Sequence, residues 1–83
     1  MSAGVPVLMP KLTMAATEGT FVHWLVGDGN QVAEDDALYV VETEKVETEV
    51  AASASGVLRH GSVQPGEVYE VGTQLGVIER DGS

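Results

Sequence analysis

Glu18–Glu42, EGTFVHWLVGDGNQVAEDDALYVVE, lies without a gap over Ser55–Glu79, SGVLRHGSVQPGEVYEVGTQLGVIE, at an offset of 37 residues. Seven of the 25 positions are identical: Gly19/Gly56, His23/His60, Val26/Val63, Gly29/Gly66, Leu38/Leu75, Val40/Val77 and Glu42/Glu79. The matches fall where backbone and core need them. Asp28-Gly29 lies over Pro65-Gly66, and a type II turn takes proline at its second position and glycine, at positive φ, at its third. Both halves turn at the same place, so the chain is one supersecondary unit used twice.

Short runs rich in Val, Leu, Phe, Tyr and Thr alternate with Gly, Pro, Asp and Asn, the rhythm of an all-β domain. Strands are expected near Val5–Met9, Thr20–Val26, Ala37–Thr43, Val46–Ala51, Val57–Val63 and Gln74–Glu79. Shorter ones are expected near Gln31–Ala33 and Val68–Glu70. No window sustains a helical period. Two matching halves of four strands predict a flattened β-barrel or sandwich of two four-stranded antiparallel sheets with quasi-two-fold symmetry, a barrel-sandwich hybrid. The expected core pairs are Val26 with Val63, Leu38 with Leu75, Val40 with Val77 and Phe21 with Leu58. The domain is placed at residues 5–79, with a flexible N-terminus at 1–4 and the start of a linker or tail at 80–83.

Eighty-three residues allow one small core. Cysteine is absent, so disulfides and thiolate metal ligands are excluded. Thirteen acidic against four basic residues give a net charge of −9, which repels nucleic-acid backbones and anionic lipid surfaces. No apolar run approaches the roughly 20 residues of a membrane-spanning helix. The expected partners are proteins with basic patches, with no nucleic acid and no membrane among them.

Lys45, one of two lysines, stands in VVETEKVETEV, Val40–Val50, among Glu42, Glu44, Glu47 and Glu49. Val46–Val50 alternates apolar and polar with period two, as a half-buried strand does. Thr43–Val46 must therefore reverse the chain. Lacking the Asn-Gly or Gly-X of primed hairpins, it is expected to use a type I turn with Glu44 and Lys45 at its corners. A lone lysine at a hairpin tip is usually a solubilising edge residue. Here the two-fold repeat sets this tip at the end opposite both chain termini.

The chain resembles the biotinyl/lipoyl carrier family, in particular the lipoyl domains of 2-oxo acid dehydrogenase complex acyltransferases. The resemblance runs from MPKLTMAATEGT (Met9–Thr20) through WLVGDGNQV (Trp24–Val32) and VETEKVETEV (Val41–Val50) to VIE (Val77–Glu79). In that family lipoic acid is amidated to the hairpin lysine, with glycine sixteen residues before it, glutamate three before and glycine eleven after. Gly29, Glu42 and Gly56 stand at those positions around Lys45.

The resemblance implies that Lys45 is the attachment site of a covalent lipoyl group. It assigns Glu42 and Glu44 to recognition by the lipoylating enzyme, and Gly29 and Gly56 to the shaping of loops. Biotin carriers share the fold but place methionine on both sides of the lysine, whereas Glu44 and Val46 flank it here. Family members usually carry Gly-Asp where this chain has Asp35-Asp36; Asp35 lies over Gly72 in the repeat, and aspartate tolerates a left-handed backbone better than most residues.

The implied role is a monomeric, non-catalytic swinging-arm carrier within a dihydrolipoamide acyltransferase subunit. The implied partners are a lipoate ligase or lipoyl transferase, a thiamine-diphosphate 2-oxo acid decarboxylase, an acyltransferase core and dihydrolipoyl dehydrogenase. The implied compartment is a bacterial cytoplasm or a mitochondrial matrix.

Two other readings remain at this level. His23 and His60 occupy equivalent positions, yet neither they nor Ser53, Ser55 and Ser62 have a recognisable ligand set or base. An independent enzyme is therefore disfavoured. An unmodified β-sandwich interaction module is the second, with Trp24 on an apolar strand read more simply as core or core edge.

Overall fold

A computed structural model describes residues 4–44 and 46–80. The strands are β1 (Gly4–Leu8), β2 (Glu18–Trp24), β3 (Gln31–Val32), β4 (Ala37–Thr43), β5 (Val46–Ala51), β6 (Gly56–His60), β7 (Glu67–Glu70) and β8 (Gln74–Glu79). They form two four-stranded antiparallel sheets, β1-β8-β6-β3 and β5-β4-β2-β7. All eight expected strands are present, with ends shifted by a few residues. Of the expected terminal segments, Gly4 belongs to β1, Arg80 follows β8, and the rest lie outside the described residues.

The two sheets exchange under the repeat. Gly29 N donates to Leu58 O and Gly66 N donates to Phe21 O, both at 2.7 Å. Each bond becomes the other when 37 is added to one half and subtracted from the other. The turns Gly27–Asn30 and Gln64–Glu67 close with 3.2 Å bonds. Gly29 and Gly66 hold φ of 85° and 86° at their third positions, as type II turns require.

The symmetry also covers β1 and β5, where the offset becomes 43. Val5↔Ile78 and Val7↔Gly76 in one sheet answer to Thr48↔Val41 and Val50↔Tyr39 in the other. The step from 43 to 37 puts six more residues between equivalent positions of β1 and β2 than between those of β5 and β6, Leu8 to Gly19 against Ala51 to Gly56.

Phe21, Leu38, Leu58 and Leu75 are fully buried between the sheets, and Val26, Val63 and Trp24 pack against them. One expected core pair is corrected in part: Val40 is buried and Val77 half-buried, but both lie outside the central cluster, where the pair is their neighbours Val41 and Ile78. Simple alternation would put Leu38 and Val41 on opposite faces. A register shift between Ala37 and Tyr39, mirrored by one between Val7 and Leu8 opposite Leu75, adds one residue and turns both inward.

Tyr39 sends its hydroxyl to Leu8 O at 3.0 Å, and Leu8, Tyr39 and Ala51 line a cavity of about 160 Å³. β1 and β5 thus approach each other through their Leu8 and Ala51 ends. Their other ends point away, so the Gly4↔Glu79 pair and the Thr43↔Val46 pair occupy opposite ends of a body 41 Å long.

Candidate functional site: the β4–β5 hairpin

The last pairs of the hairpin are Glu42↔Glu47 and Thr43↔Val46, which leaves a loop of two residues, Glu44 and Lys45. Lys45, the expected attachment site, lies outside the described residues. Glu44 takes φ of 51°. The expected type I turn, whose second residue needs φ near −60°, is therefore corrected to a primed turn. In a two-residue hairpin the loop must match the right-handed twist of its strands, and this overrides the residue preference that pointed to type I.

Glu42 is half-buried, Glu44 and Glu47 are exposed, and all three sit at the hairpin. Glu42 is flanked across the sheet by Thr20 on β2 and Glu47 on β5. Beside the hairpin runs a groove of about 320 Å³ whose walls include Ala15, Ala16, Thr17, Glu42 and Glu44. The wall opposite the hairpin belongs to the β1–β2 connection, the segment with six extra residues. Gly19 closes the floor: a Cβ there would meet Val41 Cγ1 at 3.0 Å and Thr43 Cγ2 at 3.2 Å.

The other two candidates are elsewhere. Gly29 reaches Leu58 and Gly56 abuts Glu79, so both stand in the half that carries the strand termini. Their two-fold mates Gly66 and Gly19 are the ones on the hairpin's half. Sequence reading missed Gly19 and the β1–β2 wall as site elements. The signal available was the change of offset, but GVPVL and ETEVA share only Val7/Val50 at offset 43, too little to align.

No cluster of three potential metal ligands occurs around either histidine among the described residues. His60 stacks on Trp24, centroids 4.3 Å apart and planes 5° apart, with Nε2 2.8 Å from Val26 O. His23 is exposed on β2.

The Biotin_lipoyl family model, described as "Biotin-requiring enzyme", matches residues 5–78. The chain belongs to the biotinyl/lipoyl family. Acyltransferase components are among its curated relatives. It is 43% identical over 73 residues to the dihydrolipoyllysine-residue acetyltransferase component of the pyruvate dehydrogenase complex of Mycobacterium bovis, covering 88% of this chain and 13% of the relative. It is 36% identical over 74 residues to the dihydrolipoyllysine-residue acetyltransferase component of the acetoin cleaving system of Cupriavidus necator, covering 89% and 20%.

The lipoamide acyltransferase component of the branched-chain alpha-keto acid dehydrogenase complex of Bacillus subtilis is 36% identical over 75 residues, covering 90% and 18%. The chain therefore spans a fifth or less of the length of these family members. Among solved structures, the lipoyl domain of the 2-oxoglutarate dehydrogenase complex of Azotobacter vinelandii superposes with a TM-score of 0.73. The two are 28% identical, and the match covers 95% of this chain and 99% of that one.

Proposed function

We propose that this biotinyl/lipoyl-family domain carries lipoic acid in amide linkage on Lys45. It shuttles acyl groups and reducing equivalents among the active sites of a 2-oxo acid dehydrogenase complex, as the carrier part of a dihydrolipoamide acyltransferase subunit. The observation that carries this reading is the hairpin register, which confines the lysine position to a two-residue loop at the end remote from the Gly4↔Glu79 pair. A carrier tethered through its termini has to present its amine at such a place.

The residues present fit the group. A primary amine is what amide formation with a carboxylic acid requires, and the chain has only one other lysine, Lys11. The bound group supplies a dithiolane, redox and acyl-accepting chemistry that a cysteine-free chain cannot provide. Glu42 and Glu44 put carboxylates on the hairpin that carries the lysine in sequence, and they steer the tip toward basic entrances on a lipoate ligase or lipoyl transferase. The same acidic tip suits it to dock at the decarboxylase, the acyltransferase core and dihydrolipoyl dehydrogenase in turn. Tethering keeps the arm at an effective concentration of about millimolar for its partners. The compartment is a bacterial cytoplasm, or the matrix where the complex is mitochondrial.

Lipoate is preferred to biotin because Glu44 and Val46, not methionines, flank the lysine. Incubation with lipoate, ATP and a lipoate ligase is expected to add one lipoyl group by mass, and Lys45→Arg to abolish the gain. An unchanged mass of the parent chain overturns the reading, and a gain only with biotin and biotin ligase replaces lipoate by biotin.

A further inference from the structure

The β1–β2 connection carries one side chain that the carrier role does not use. Met14 is 94% exposed, the most exposed of the large apolar residues among the described residues. A turn closed by Ala16 N to Thr13 O, 3.1 Å, bends the backbone at Met14. The next two residues, Ala15 and Ala16, form the wall of the groove beside Glu42 and Glu44. Met9, five residues earlier, is 1% exposed and belongs to the central core. The same short stretch therefore holds one thioether open to water and one sealed from it.

We propose that Met14 is a reversible oxidation site, taking hydrogen peroxide as its substrate and presenting a sulfoxide on the outer side of the groove wall. The thioether sulfur attacks one peroxide oxygen, the O–O bond breaks, and methionine plus H₂O₂ becomes methionine sulfoxide plus water. Repair by a methionine sulfoxide reductase consumes two thiols, giving methionine, one disulfide and water. Reactivity at a thioether follows its exposure to the oxidant, and nothing buries Met14. Met9 reacts only when the core opens, so its rate is scaled by the small open fraction. The product replaces an apolar, flexible side chain by a polar acceptor, on the connection that walls the groove beside Glu42 and Glu44.

The test uses the whole chain and dilute hydrogen peroxide, followed by trypsin and mass mapping. Cleavage after Lys11 separates Met14 from Met1 and Met9, and fragment ions distinguish those two. The Met14 peptide is expected to gain about 16 Da at least tenfold faster than Met9 does in the folded protein, with the two rates converging in urea. A mixture of the two methionine sulfoxide reductases, one for each sulfoxide epimer, with dithiothreitol is expected to remove the gain, and Met14→Leu to abolish it. Equal rates at Met14 and Met9 in the folded chain, or a gain at Met14 that the reductases cannot reverse, overturn the proposal. Neither readout depends on whether Lys45 carries a group.

Discussion

Asp35 holds φ of 76° at the position where its two-fold counterpart Gly72 holds 93°. Each is the third residue of a turn, closed by Asp36 N to Ala33 O at 3.0 Å and by Thr73 N to Glu70 O at 3.0 Å. The two turns share their shape although one has aspartate where the other has glycine. Left-handed backbone is costly for a residue with a Cβ, less so for aspartate than for most. Among the described residues the Asp35 carboxylate makes no hydrogen bond that would repay it, the neighbouring Asp36 being the one that caps Ala33 N at 2.8 Å. Asp35→Gly is therefore expected to stabilise the domain by about 0.5–1 kcal/mol, raising the thermal midpoint by about 2–6 °C. Calorimetry on the two proteins checks it.

Gly56 and Gly66 are predicted to respond differently to alanine. A Cβ on Gly56 would run into the Glu79 carbonyl oxygen and come within 2.8 Å of Ile78 Cγ2. Backbone cannot yield there without parting β6 from β8, so Gly56→Ala should cost about 3 kcal/mol. Around Gly66 there is open space, and only its φ of 86° opposes a side chain, a strain of about 1–2 kcal/mol. Urea midpoints at constant slope measure both, and a Gly56→Ala protein as stable as Gly66→Ala would refute the steric argument.

Tyr39 sets a limit at high pH. Burial raises its hydroxyl from 10.0 to about 12, because the phenolate would lose its water. The folded pKa exceeds the unfolded one, so this stabilisation is complete below pH 10 and is lost as pH rises through about 12. Subtracting the tyrosinate absorbance titration of Tyr39→Phe from that of the parent should leave a transition near pH 12. Tyr39→Phe should also cost about 1 kcal/mol at neutral pH by leaving Leu8 O without its donor.

The repeat was legible because turn glycines and core hydrophobes must recur wherever the backbone does. Phe21/Leu58 and Leu38/Leu75 face the core for that reason. Val40/Val77 misled because identity marks equivalence under the two-fold and says nothing of which side of a strand faces the central cluster; Val40 is buried, but outside it. That side was changed by a bulge whose extra residue has no sequence signature. Glu44 at positive φ was illegible for a related reason, since strand twist, not residue preference, selected the turn. Of the site, Glu42 and Glu44 came with the family resemblance around Lys45, and both lie at the hairpin, lining the groove. The groove wall could not be read, because it is made by an insertion whose flanking strand keeps only one identity with its mate.

Two like-charged pairs oppose each other on the β5-β4-β2-β7 sheet, Glu42↔Glu47 and Glu18↔Glu70. Directly opposed like charges destabilise a sheet, and the chain's −9 net charge adds to the repulsion. No such cost would be kept for stability's sake. Raising ionic strength from about 0.01 to 0.15 M shortens the Debye length from about 30 to 8 Å, so stability is expected to rise with salt. Glu70→Lys converts one pair to opposite charges and should stabilise at low salt by about 0.5–1 kcal/mol, flattening that salt dependence. Glu70 is exposed on β7 and does not line the groove beside the hairpin, so the mass gain at Lys45 should be unchanged. Denaturation at two salt concentrations, with the ligase assay alongside, reads both quantities; a Glu70→Lys protein no more stable than its parent at low salt would show that these opposed carboxylates already splay apart at no cost.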